Sequence, residues 1–162
     1  MTIHEDYLRS IMFGFQDGLV STTGVVAGIS AGVDVKSIIV LAAFVAVSVE
    51  ASSMAAGQYT SEKAVHQLDK TGRHKDSLLL GATLMFFSYL FAGLIPIIPI
   101  LLFDKPASNF LSIGAAMLAL FILGFIKGKI VENSPLRSAT ELFLIGGTAT
   151  AVGLAVGIFL KV

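Results

Sequence analysis

The sequence predicts an all-α polytopic membrane protein of five transmembrane helices, and three observations predict it. First, 55% of the 162 residues are hydrophobic and only 14% are charged, with a mean hydropathy of +0.86. A soluble domain averages about 25% charged residues, and one of this size cannot bury so much apolar surface. Second, the apolar residues fall in five continuous runs rather than in strict alternation, which argues against strands. Third, sixteen glycines in so apolar a chain suit membrane helices, whose small residues let backbones approach closely.

The same composition excludes other classes. Disorder needs low hydrophobicity. Nucleic-acid binding needs a basic excess, and eleven basic residues are balanced by eleven acidic ones. The absence of cysteine removes disulfides, thiolate metal sites and cysteine nucleophiles. No Walker A loop, HExxH, GxSxG or Rossmann glycine pattern occurs, so no enzyme activity is expected.

A helix of roughly 20 residues crosses a hydrocarbon core of about 30 Å. The runs place spans at roughly 10–32, 37–60, 78–103, 109–130 and 137–160, in a single five-helix domain over residues 1–162. The first span follows Glu5, Asp6 and Arg9, which do not make the basic n-region of a signal peptide, so it is expected to be retained. It holds Gly24, Gly28 and Gly32, two overlapping GxxxG steps; packing within the bundle and dimerisation are both open readings. The second span holds Glu50, Met54 and Gln58 at i, i+4 spacing, ending at Glu62. The third contains Pro96 and Pro99, which are expected to kink or unwind it. The fourth and fifth repeat GxxxG at Gly124/Gly128 and Gly153/Gly157. The connector at 61–77, with His66, Asp69, His74 and Asp76, reads better as a solvated charged loop than as a metal site.

Orientation follows from the basic residues. Arg9, Lys63, Lys70, Arg73, Lys75, Lys127, Lys129 and Arg137 fall on one side; Lys36, Lys105 and Lys161 fall on the other. The positive-inside rule then puts the N-terminus in the cytosol.

The informative residues are the acids inside the spans, since each costs about 2.5–3.5 kcal/mol at a helix centre. Asp17 lies roughly 10 Å and Glu50 roughly 15 Å from the inner surface, at about 1.5 Å per residue. No Lys or Arg of these helices lies between them. A metal or a proton is the natural counter-charge, and a group that binds either in turn supports exchange of one for the other. Two carboxylates with the soft thioether of Met54 suit a divalent transition metal such as Fe²⁺ over Mg²⁺ or Ca²⁺. Structural polar contacts for Asp17 and plain packing for Met54 remain open on spacing alone.

The stretch Gly14-Phe15-Gln16-Asp17-Gly18-Leu19-Val20-Ser21-Thr22-Thr23-Gly24 resembles the opening motif of the vacuolar iron transporter family. Glu50-Ala51-Ser52-Ser53-Met54-Ala55-Ala56-Gly57-Gln58-Tyr59 resembles that family's second-helix motif, and the later spans fit its hydrophobic pattern. The resemblance implies a homodimer that exports Fe²⁺, sometimes Mn²⁺, from the cytosol in exchange for protons. The path would run along the dimer axis, lined by the first two helices. Asp17, Glu50 and Met54 match the intramembrane metal positions, with Gln58 and Glu62 as inner-mouth contacts. The metal is cargo; no resident cofactor is implied. Two features depart from the family pattern. The connector at 61–77 has no room for a glutamate-rich cytosolic domain, as in the nodulin-like branch, and Gln58 stands where the family usually has glutamate. A prokaryotic plasma membrane is the expected location, with an organellar membrane as the other choice. A non-transporting scaffold that kept the fold is the alternative function, against which the cost of Asp17 and Glu50 counts.

Overall fold

The computed structural model describes residues 5–69, 77–131 and 134–161. Five helices follow one another, α1 (Glu5–Gly32), α2 (Lys36–Leu68), α3 (Leu78–Leu102), α4 (Ala107–Ile130) and α5 (Pro135–Phe159), and no strand occurs among the described residues. α2 to α5 are each long and apolar enough to cross a membrane. α1 has the length, with 28 residues, but its glycines, serines, threonines and Asp17 keep its hydropathy lower.

Packing explains how so polar a helix runs through the bundle. α1 touches all four other helices, and these form an arc around it in the order α2, α3, α4, α5. α2 and α5 do not meet among the described residues, so α1 keeps one uncovered sector between them. Phe13 is exposed in its N-terminal half, and Gln16, Asp17 and Val20 are half-buried. Elsewhere α1 is clasped by backbone. A Cβ at Gly28 would stand 2.6 Å from the Gly153 carbonyl oxygen, and one at Gly32 2.9 Å from that of Gly157. The GxxxG steps of α1 and α5 thus interlock inside one chain. Gly124 and Gly128 do the same for α4 against Ser138 and Pro135.

Two apolar clusters fill the interior. One joins Val26, Val47, Ala51, Tyr89 and Ile97 across α1, α2 and α3. The other joins Leu19, Ala92, Leu120 and Leu142 across α1, α3, α4 and α5. Large apolar side chains such as Leu41, Phe91, Phe110, Leu118 and Val152 point outward, as expected of a surface solvated by lipid.

The structure adds detail to the sequence expectations. The helix that carries the expected span 37–60 continues to Leu68, because the charged stretch after Thr60 is still helix-forming and Glu62 finds a partner on α1. Residues 61–68 of the expected loop are therefore helix; Lys70, Arg73, His74, Lys75 and Asp76 lie outside the described residues. α3 runs through Pro96 and Pro99 without unwinding, and the Pro96 carbonyl accepts a 2.6 Å hydrogen bond from Ser112 Oγ on α4.

Candidate functional site

The helix ends sort into two groups. At one end Arg9 pairs with Glu62, and the Tyr7 hydroxyl accepts from the Ser77 backbone N–H at 2.8 Å. At the other, Lys36 pairs with Asp104 at 2.9 Å, and Lys105 donates to the carbonyls of Ser30 and Val33 at 2.6 and 2.7 Å. The candidate residues of α1 and α2 lie toward the Arg9 end, inside the bundle.

Glu50 is held by hydroxyls. Its Oε2 accepts from Ser21 Oγ on α1 at 3.0 Å and from the Tyr89 hydroxyl on α3, and those two hydroxyls are also hydrogen-bonded to each other. Tyr89 is 1% exposed, its ring locked in the α1–α2–α3 cluster, so the position of its hydroxyl is fixed by packing. Asp17 stands one helical turn before Ser21 and is half-buried. Among the described residues Asp17 has no hydrogen-bond partner and no cation beside it.

Met54, one turn inward of Glu50, is half-buried and packs against the same core cluster. Gln58 Nε2 donates to Ser10 Oγ at 3.0 Å and to Glu62 Oε1 at 3.2 Å. Glu62 is 8% exposed, and Arg9, which pairs with it, also lies 3.4 Å from Asp6. A cleft of about 450 Å³ opens here, bounded by Arg9, Phe13, Gln58, Glu62 and Met85. Phe13 stands one turn before Asp17 on α1.

The structure thus links Glu50 to the Ser21 turn of α1 that follows Asp17, and it places Gln58 and Glu62 together at the cleft. It does not assemble a closed metal site in one chain. No group of three His, Asp or Glu residues close enough to hold a metal ion occurs among the described residues. Sequence reasoning missed Ser21, Tyr89 and Arg9. Tyr89 carried one usable signal: a lone phenol in an apolar run needs a buried partner for its hydroxyl.

The profile of the VIT family matches residues 8–80 and 64–158, which together take in nearly all of the chain. The chain belongs to the VIT family. Among its relatives, Vacuolar iron transporter 1 of Oryza sativa subsp. japonica is 35% identical over 65 residues, 40% of this chain and 26% of that protein. An uncharacterised protein of Methanocaldococcus jannaschii is 29% identical over 169 positions, 91% of this chain and 86% of its own length. The vacuolar iron transporter of Centaurea cyanus is 25% identical over 213 positions, covering 93% of this chain and 87% of the relative. That alignment is longer than this VIT-family chain itself, so the cornflower protein carries sequence that this chain lacks. The match to the rice protein spans about a quarter of that protein's length.

Proposed function

We propose that this VIT-family chain is a single membrane domain that works as a homodimer and exports a divalent transition metal from the cytosol in exchange for protons. Fe²⁺ is the first-choice cargo and Mn²⁺ the second. Asp17 and Glu50 carry metal and proton, Met54 is the soft donor, and Gln58 and Glu62 line the inner mouth.

The observation that carries the reading is that Glu50 of α2 is bonded to Ser21 of α1, one turn from Asp17, with no ion pair to either acid among the described residues. Two acids there are tolerated only with a counter-charge. Asp17 stands in the half-buried part of α1, and the described residues of one chain hold no group of three acids or histidines close enough to bind a metal. A second copy related by two-fold symmetry would cover that sector and double the donor set. The excess of basic residues expected on the N-terminal side of the membrane supports a cytosolic N-terminus, and on that reading the cleft beside Glu62 opens to the cytosol. The names of the plant relatives support iron as cargo. A prokaryotic plasma membrane is the proposed location.

The test is Fe²⁺ uptake into proteoliposomes under an imposed pH gradient. Wild-type protein is expected to take up metal and release protons, and Asp17→Ala and Glu50→Ala to abolish both. Unchanged flux in those variants would overturn the site assignment.

A further inference from the structure

The cleft beside Glu62 already holds a cation, and that cation belongs to the chain. Glu62 is 8% exposed, whereas the Arg9 side chain that pairs with it is 61% exposed. One nitrogen, Arg9 Nη2, bonds Glu62 Oε1 and also lies 3.4 Å from Asp6 Oδ1, one turn back on α1. Among the described residues the other donor to Glu62 is Gln58 Nε2, again on Oε1 at 3.2 Å, so Oε2 accepts no hydrogen bond. Arg9 and Glu62 both line the cleft of about 450 Å³, and an ion that enters it meets the pair.

The two partners stand to lose different amounts. A buried acid stripped of its cation is strongly destabilised, whereas an exposed guanidinium that swings away is solvated at once. Glu62 therefore releases Arg9 only when another cation replaces it. A monovalent ion brings no more charge than the guanidinium and none of its hydrogen bonds. A divalent ion brings twice the charge and takes carboxylate oxygens as ligands, and Oε2 of Glu62 is still unengaged.

We propose that Arg9 is a specificity-determining residue, a tethered cation that guards Glu62 and yields its place between Glu62 and Asp6 to a divalent ion but not to a monovalent one. The proposal rests on the transport reading above: Arg9 screens by charge where the ion enters, and Met54 screens by softness further along α2. Its first test needs no transport and no variant. Phenylglyoxal modifies unpaired guanidinium groups, and peptide mass spectrometry reports Arg9 separately from Arg137, which is exposed at the start of α5. In wild-type protein in detergent, Mn²⁺ is expected to speed the labelling of Arg9 about fivefold, the effect of losing one partly exposed ion pair, while K⁺ at equal ionic strength leaves it unchanged. Arg137 is expected to label at one rate throughout. Mn²⁺ binding is then read by electron paramagnetic resonance in an Asp17→Ala/Glu50→Ala background, so that the deeper acids do not contribute. Arg9→Gln is expected to bind Mn²⁺ about fivefold more tightly than Arg9 itself allows, and Arg9→Lys, which keeps the charge, to restore the weaker binding. In proteoliposomes, Arg9→Gln is expected to lower the KM for Fe²⁺ and to let K⁺, but not choline, slow the flux. Labelling of wild-type Arg9 that is indifferent to Mn²⁺ would overturn the inference, and so would equal Mn²⁺ affinity with and without Arg9→Gln. The wild-type labelling decides alone if the variants are unstable. Absent wild-type transport with the labelling shift intact would overturn the transport reading alone.

Discussion

Gly18 sits between Asp17 and the Ser21 turn, and it sets how closely α1 approaches α3. A Cβ at Gly18 would lie 2.5 Å from the Tyr89 carbonyl oxygen and 3.1 Å from the Tyr89 Cα and carbonyl carbon. The partner is backbone, so no rotamer can yield. Ordinary contact begins near 3.4 Å, and Gly18→Ala must therefore open the interface by about 0.9 Å. Overpacking of this kind costs about 1–3 kcal/mol. Alanine also gains up to about 1 kcal/mol of helix propensity over glycine, which must be subtracted. Gly57→Ala measures that gain, because Gly57 is exposed on α2 and a Cβ there meets nothing within 4 Å. For a chain of this size about 1 kcal/mol shifts the melting temperature by roughly 2–4 °C. Gly18→Ala is thus expected to melt about 2–12 °C below Gly57→Ala, read as loss of the monodisperse gel-filtration peak after heating in detergent. The same shift should draw Tyr89 away from Ser21 and Glu50, so proton-coupled flux should fall with stability. Equal melting temperatures for the two variants would refute the close approach of α1 and α3.

Other perturbations test other contacts. Arg9→Gln leaves the buried Glu62 unpaired, so it is expected to destabilise more than the double variant Arg9→Gln/Glu62→Gln. The coupling in that double-mutant cycle should be about 1 kcal/mol, since the Arg9 side chain is 61% exposed, and it should shrink in high salt. Lys105→Met removes the cation that caps the carbonyls at the end of α1, worth about 1 kcal/mol, and should lower the melting temperature by about 2–4 °C. Met54→Leu conserves volume against the core cluster and should cost under about 1.5 kcal/mol, while Fe²⁺ flux falls relative to Mn²⁺ flux because the soft donor is gone.

The helices were legible because lipid imposes a simple rule: long apolar runs become spans. That rule worked best for α2 to α5, whose outer faces carry bare leucine, valine and phenylalanine. It worked less well for α1, whose neighbours rather than its own hydropathy keep it in the bundle. Its glycines could be read as contact points but not assigned a partner, since GxxxG does not say whether the facing helix belongs to the same chain. Hydropathy also cannot see past the membrane, and so the extension of α2 to Leu68 left no signal in it. Asp17 and Glu50 were visible because an acid in an apolar run is conspicuous. Tyr89 was not, because the hydrogen bonds that matter to it reach 39 and 68 residues along the chain. Such separations are set by how α1, α2 and α3 pack and leave no local pattern.

The uncovered sector of α1 bears on the proposed exchange of metal for protons. Lipid over Asp17 would meet a bare charge, at an insertion cost of about 2.5–3.5 kcal/mol. A symmetric second copy would cover the sector, but it would also bring its own Asp17 and Glu50 to the axis. Four carboxylates in so small a volume cannot all stay ionised without cations. On the proposed dimer, a divalent metal would neutralise two of those charges. On that proposal, protons would take the place of the metal when it leaves. The coupling of metal to proton would then follow from electrostatics alone, with no separate gate required to enforce it.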